Sequence, residues 1–309
     1  MKVFVAGATG VIGRPLIAAL VAAGHEVIGM TSKDEGLKVL RERGAEGVVL
    51  NTLDAEAVGV EIAKIRPDVI IDELTSLPKR YTPEEMRKAA PRDRQIRLEG
   101  GGNLHRAALE TGVKRYIVQS TGFFYGRGQG LAAEEDPLAR DAPPGIAGSV
   151  ATYTQLENRV LGTPGMEGFA LRYGFFYGQG TYHDPKSGSI SEQVRQRQYP
   201  VIDPATGVFS FIHVEDAAAA TASALEIRPG VYNIVDNDAV AVAIWLPAFA
   251  IFIGAPPPPH ISEREAFQTS GPDAVYYATQ LRGASNEKAK KEFGFAPRRL
   301  EWLQGNRST

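Results

Sequence analysis

Directly after a short apolar run at the N-terminus stands Gly7-Ala8-Thr9-Gly10-Val11-Ile12-Gly13, with a glycine at every third position and an apolar helix-like stretch behind it. Glycines there permit a tight turn and let the backbone close on a pyrophosphate, whose charge a helix N-terminus favours. Gly7, Thr9, Gly10, Val11, Ile12 and Gly13 are therefore expected to cradle a dinucleotide. The end of the second strand chooses between cofactors, because a carboxylate there bonds a ribose hydroxyl and repels a 2'-phosphate. This chain offers Thr31, Ser32 and Lys33, two hydroxyls and an ammonium that suit a phosphate, so NADP is favoured over NAD. Asp34 and Glu35 pull the other way, and Lys33 as a plain surface charge is the bland alternative. Leu53 and Asp54 follow the third strand; Asp54 either meets the adenine amino group or N-caps the next helix, and the two roles are compatible.

A second set of residues could hold a substrate. Ser120-Thr121 closes the fifth strand, and two echoing pentapeptides, Gly122-Phe123-Phe124-Tyr125-Gly126 and Gly174-Phe175-Phe176-Tyr177-Gly178, each follow a strand. Open parallel sheets bind ligands at that edge. The six aromatics, Phe123, Phe124, Tyr125, Phe175, Phe176 and Tyr177, thus form either an apolar or aromatic substrate pocket or packing between lobes. Tyr153, Tyr125, Tyr177, His183 and His213 are the candidate proton donors, with His213 better placed as a structural residue. No metal site is expected: the five histidines, at 25, 105, 183, 213 and 260, are scattered, and the absence of cysteine removes thiolate ligands, disulfides and a cysteine nucleophile.

Positioning these residues requires a particular frame. Strands are expected at Lys2 to Ala6, Glu26 to Met30, Gly47 to Leu50, Asp68 to Asp72, Arg115 to Gln119 and Gly168 to Tyr173. Helices are expected between them at Arg14 to Ala23, Asp34 to Arg43, Ala55 to Arg66, Arg92 to Thr111 and Ala151 to Leu161. Such alternation argues for an α/β, doubly wound parallel sheet of Rossmann type with a smaller C-terminal substrate lobe. The dinucleotide lobe takes residues 1–174 and is rejoined by about 209–235, leaving 175–208 and 236–309 for the substrate lobe. The 309 residues, 43% hydrophobic and 23% charged, are enough for a large core, and a net charge of -2 supplies no basic field for nucleic acid. A lone early lysine and a short apolar run that soon meets glycine read as a mature cytoplasmic N-terminus.

GATGVIG, Asn103-Leu104 with Ala107-Ala108 and Gly112, Val118-Gln-Ser120-Thr121 ahead of Tyr125-Gly126, Leu171-Arg172 ahead of Tyr177-Gly178, and Phe211-Ile-His213-Val-Glu-Asp216 together resemble the short-chain dehydrogenase/reductase superfamily. The likeness is to its extended and atypical branches, which include NAD-dependent epimerase/dehydratases. It implies a nicotinamide cofactor, a small-molecule substrate, and Thr121 beside Ser120 as the group that bonds the substrate oxygen. It also implies a Y-x-x-x-K helix in which lysine lowers the tyrosine pKa, and here the pattern breaks. Ala151-Thr-Tyr153-Thr-Gln155-Leu-Glu157 places Gln155 at the lysine in one register and keeps Tyr153 with Glu157 in the other; neither restores the pair. Arg97 stands where the family has asparagine, and Phe175 stands where sugar-nucleotide epimerases carry asparagine. The intact cofactor site beside an apolar pocket points to an NADP-dependent oxidoreductase of a small carbonyl/alcohol pair, with Thr121 orienting the oxygen. An epimerase/dehydratase and a dinucleotide-binding sensor are the alternatives.

The run from Ala239 to Ile253 falls short of the roughly 20 residues that span a membrane, and no membrane partner is expected. Its apolar residues surround the whole helix, so some must meet a second surface. That surface is either another lobe of the chain or a second copy; the family resemblance would instead put a homodimer contact near Gly102 to Thr111 and Ala151 to Leu161.

Overall fold

A computed structural model describes residues 1–304. The strands are β1 (Lys2–Ala6), β2 (Glu26–Thr31), β3 (Glu46–Val49), β4 (Val69–Asp72), β5 (Arg115–Thr121), β6 (Glu167–Tyr173), β7 (Phe175–Tyr177), β8 (Val201–Asp203), β9 (Val208–Phe209), β10 (Phe211–His213), β11 (Gly230–Ile234), β12 (Val240–Ala241) and β13 (His260–Ser262). The helices are α1 (Gly13–Ala22), α2 (Glu35–Arg41), α3 (Ala55–Ile65), α4 (Pro83–Gln95), α5 (Gly101–Thr111), α6 (Pro144–Leu161), α7 (Ser189–Arg195), α8 (Val214–Ser223), α9 (Val242–Phe252), α10 (Glu263–Ser270), α11 (Pro272–Thr279) and α12 (Glu287–Phe293).

Seven strands form one parallel sheet in the order β11-β6-β5-β4-β1-β2-β3. Its β-branched strands are buried on both faces, as a sheet covered by helices requires. Leu16, Ile17, Ala217 and Ala220 of α1 and α8 fill one side, while Val58, Ile62, Leu104, Leu156 and Val160 of α3, α5 and α6 fill the other. Every strand expected from the sequence is present within two residues at either end. The helices depart more. The helix expected from Arg92 begins at Pro83, where Thr82 caps it by accepting from Glu85 N at 3.2 Å, and it runs into α5 through a π-helical turn at Ile96–Gly100. Helix α6 starts at Pro144 because Ile146 and Val150 extend its buried stripe through small residues that carry little periodic signal.

A third core gathers Tyr177, Phe209, Phe211, Trp245, Phe249 and Trp302 beyond the C-terminal ends of the strands. One stretch expected on that side goes elsewhere: Ala289 of α12 and Phe295 pack into the α1/α8 layer and cover the sheet. Helix α9 buries Trp245, Leu246 and Phe249 and leaves Ile244, Ile251 and Phe252 exposed, so one flank meets the third core and the other meets solvent. No described helix is long and apolar enough to cross a membrane.

Candidate active site

The turn after β1 has no room for side chains. Gly7 has φ +78°, and a Cβ there would lie 2.5 Å from the Glu73 carbonyl oxygen, while a Cβ on Gly13 would lie 2.3 Å from the Gly7 carbonyl. Glycine is thus demanded both by the left-handed backbone and by the approach of β4 and α1. The result is a cradle at the start of α1 of the shape that a pyrophosphate fits. Gly7, Gly10, Val11 and Ile12 line it, with Thr9 half-buried at its side and its carbonyl accepting from Arg14 Nε at 2.9 Å.

At the end of β2 the Thr31 hydroxyl is buried and is engaged within its own turn, donating to the Lys33 carbonyl at 3.1 Å and accepting from Lys33 N at 3.3 Å. Ser32 and Lys33 are exposed beside it. Asp54 caps α3, accepting from Ala57 N at 3.0 Å, and Leu53 is half-buried before it.

From the glycine loop a cavity of about 980 Å³ runs across the ends of β4, β5 and β6 to the third core. Adjacent strand residues alternate in facing, and this separates the two candidate hydroxyls. Ser120 donates to Glu157 Oε1 at 2.6 Å, and Glu157 is held by Arg172 through contacts of 2.8 and 2.7 Å. Ser120 borders the cavity as Thr121 does, but its hydroxyl is engaged in a buried ion-pair network. Thr121 borders the cavity, and its Oγ1 is buried with no partner among the described residues.

The same alternation sorts the aromatics. Phe123, Phe124, Phe175 and Phe176 line the cavity, with Phe123 stacked on Phe175 at 4.1 Å between centroids and Phe175 on Phe209 at 4.4 Å. Tyr125 and Tyr177 do not. Tyr125 is buried with its hydroxyl between Asn233 Oδ1 and Arg172 Nη1, and Tyr177 packs edge-on against His213 and Trp302. Both assignments are corrected on that ground. His213 caps α8 by accepting from Glu215 N at 3.2 Å.

On α6 the cavity face carries Pro144 and Gly145, Gly148 and Ser149, and Thr152 and Tyr153, two residues per turn. Gln155 is exposed and outside the lining, so the register that puts it against the cofactor is corrected too. Glu157, one turn beyond Tyr153, belongs to the Arg172 network. Ser149 and Tyr153, like Gly148 and Thr152, are spaced by four and line the cavity, and of these Ser149 and Tyr153 pair a hydroxyl with a phenol. Burial pushes the Tyr153 phenol above its ordinary range, and Arg97, whose guanidinium lies 5.1 Å from the ring centroid, opposes that rise. A tyrosine held protonated in this way is a poor base at neutral pH.

Several lining residues had no local signal. Tyr81, Tyr182, Tyr199 and Tyr277 come from distant parts of the chain and complete the aromatic wall. The Ser149 position, by contrast, is legible as the next residue along the Tyr153 stripe. His183 Nδ1 donates to the Phe176 carbonyl at 3.0 Å, its Nε2 has no partner among the described residues, and burial holds its pKa down to about 4. Glu73, at the end of β4, is buried against the glycine loop. Burial pushes its carboxyl up to about 8; Tyr173 and Arg97 oppose the rise and Asp72 adds to it.

The model of the NAD dependent epimerase/dehydratase family matches residues 3–235. A 3-diazoavenalumate denitrifying reductase from a Streptomyces species is 35% identical over 308 residues, covering 99% of each chain. Among solved structures, a UDP-glucose 4-epimerase of Thermotoga maritima with UDP-glucose superposes with a TM-score of 0.75 at 20% identity, covering 98% of this chain and 95% of that one. The UDP-glucose 4-epimerase of Thermus thermophilus in complex with NAD gives 0.73 at 22% identity, covering 98% and 96%. At these identities the structural matches establish the fold.

Proposed function

The chain belongs to the NAD dependent epimerase/dehydratase family, and from that membership we propose that it is an NADP-dependent reductase of a small, planar aromatic substrate. A bound nicotinamide dinucleotide supplies or takes up the hydride. Gly7, Gly10 and Gly13 shape the cradle for its pyrophosphate, and Ser32 and Lys33 are the groups at hand for a 2'-phosphate. The stacked Phe123, Phe175 and Phe209 favour a flat apolar ring over a sugar. Thr121 is the observation that carries this assignment: a buried hydroxyl with no partner among the described residues, on the cavity wall, suited to hold the polar end of a carbonyl or alcohol.

A second chemistry is favoured by one specific feature, the missing tyrosine-lysine pair. Reducing a carbonyl requires a proton for the oxygen, and here Ser149 and Tyr153 occupy the paired positions. A diazo-bearing arene of the kind named for the Streptomyces relative accepts hydride at carbon as its carbon–nitrogen bond breaks and dinitrogen leaves with the bonding pair. No proton is consumed, so no general acid is needed.

Oxidation of NADPH and of NADH is to be followed with aromatic aldehydes and ketones, aryl diazonium salts and UDP-glucose. Turnover of an aromatic compound with NADPH preferred is expected. Deuterium transfer from labelled cofactor to a ring carbon, with dinitrogen evolved, selects the second chemistry; transfer to a carbinol carbon selects the first. Epimerisation of UDP-glucose, or a preference for NADH, would overturn the corresponding part of the assignment.

A further inference from the structure

Three oxygen contacts run in a line behind the glycine loop. Glu73 Oε1 lies 2.8 Å from Tyr173 Oη, Tyr173 Oη lies 2.6 Å from Thr221 Oγ1, and Thr221 Oγ1 lies 2.7 Å from the Ala217 carbonyl one turn earlier in α8. All three side chains are buried. Each contact is short enough to need a proton, but the two hydroxyls bring only two. If Thr221 donates to the Ala217 carbonyl, Tyr173 must donate to Thr221, and the third proton has to sit on Glu73. With an ionised Glu73 accepting from Tyr173, one pair of oxygens in the line would face each other at contact distance with nothing between them.

Glu73 Oε2 is buried and has no partner among the described residues, and the residue borders the cavity where its backbone crowds Gly7. We propose that Glu73 is a neutral carboxylic acid that donates to Tyr173 and turns its other oxygen to the bound dinucleotide, so that its ionisation sets cofactor affinity. The neutral form places an acceptor for a hydroxyl or amide donor of the cofactor beside the phosphate cradle. The ionised form would put a second negative charge against a pyrophosphate in a poorly solvated place. The charged and titratable groups that face it are few: Tyr173 from β6, Asp72 on its own strand and Arg97 from the π turn. Burial, which pushes the carboxyl up to about 8, agrees with the proton count.

This inference rests on the dinucleotide site of the proposed function, and the test separates the two. Fluorescence titration with the preferred reduced cofactor, without substrate, is carried from about pH 7 to about pH 9.5, a range in which its phosphates stay ionised. For the wild type, Kd is expected to rise above the carboxyl's titration by up to about tenfold per pH unit. Glu73→Gln, whose amide can donate to Tyr173 but cannot ionise, should lose the alkaline decline, its Kd at about pH 9.5 matching its own value at about pH 7. In the wild type, an infrared band of a protonated carboxyl should also vanish over the same range, a check that holds if the variant does not fold. A flat wild-type profile with no such band would overturn the proposal and leave the reductase assignment standing. No dinucleotide binding at any pH would overturn both.

Discussion

Ser120 and Thr121 are neighbours at the end of β5 and both border the cavity, yet their hydroxyls belong to two sets of polar groups built on opposite terms. In the first set, Ser120, Glu157, Arg172 and Tyr125 form a closed network in which the carboxylate is held by a bidentate guanidinium and each hydroxyl has a partner. In the second, Thr121 Oγ1, Glu73 Oε2, Gln119 Oε1 and His183 Nε2 are buried without a partner among the described residues, and all four residues border one cavity. A fully satisfied buried network holds a fold together, whereas unsatisfied atoms gathered on one cavity wall cost free energy that a ligand can return. The first set is satisfied by ion pairs within the fold, and the second leaves polar atoms over at the cavity wall, where the proposed substrate and cofactor would meet them.

Breaking the first set should cost the most. Arg172→Ala leaves Glu157 buried and unpaired, and is expected to lower unfolding stability by about 3–5 kcal/mol, read as a shift in urea midpoint. The double variant Arg172→Met, Glu157→Leu should recover much of that loss. If the single variant is as stable as the wild type, the network is not what the burial implies.

In the second set the ordering reverses, with function lost and the fold retained. Thr121→Ala should lower turnover by about 2.7–4 kcal/mol in barrier, the cost of removing one oriented donor, with cofactor affinity within a few-fold and an unchanged urea midpoint. Ser120→Ala is the paired contrast: a stability loss of about 1–3 kcal/mol from the partner it abandons. Equal turnover losses in the two would erase the distinction drawn between them.

The comparison also predicts how pH acts. His183 and His105 are held down to about 4 by burial, from an ordinary 6.5. The unfolded chain thus takes up protons that the fold refuses. Their contribution to stability is complete above the ordinary value and is lost as pH falls from about 6.5 towards about 4. Glu73 works from the other side: with its carboxyl raised to about 8, stability declines as pH rises from the ordinary carboxylate range towards that value, and Glu73→Gln should remove that slope. Urea midpoints measured across the range check both signs.

The smallest effect is expected at the exposed rim. Lys33→Ala should weaken NADPH a few-fold, an exposed ion pair being worth up to about 1 kcal/mol, and leave NADH unchanged. Equal loss of both cofactors would reject Lys33 as the discriminating group.

Strand positions, the glycine turn and the places where aromatics leave the sheet were legible because each depends on neighbours a few residues apart. Period-2 alternation shows that the Ser120 and Thr121 side chains must diverge; it does not say which hydroxyl finds a partner, and that waits on where Glu157 of α6 and Arg172 of β6 meet. The helical period likewise joins Gly145, Ser149 and Tyr153 into one stripe and sets Gln155 off it. Only the docking of α6 against β5 and β6 turns that stripe towards the cavity.

What the sequence by itself determined is the doubly wound sheet and the glycine turn after its first strand, since glycine spacing and strand alternation are read from neighbours a few residues apart. Only the tertiary structure decided which polar atoms are left over. Glu73, Tyr173 and Thr221 meet across gaps of 100 and 48 residues, and Arg172 reaches Glu157 across 15. Whether a buried hydroxyl is spent on the fold or kept for a ligand depends on which partners arrive, and those partners are set by the packing of whole elements.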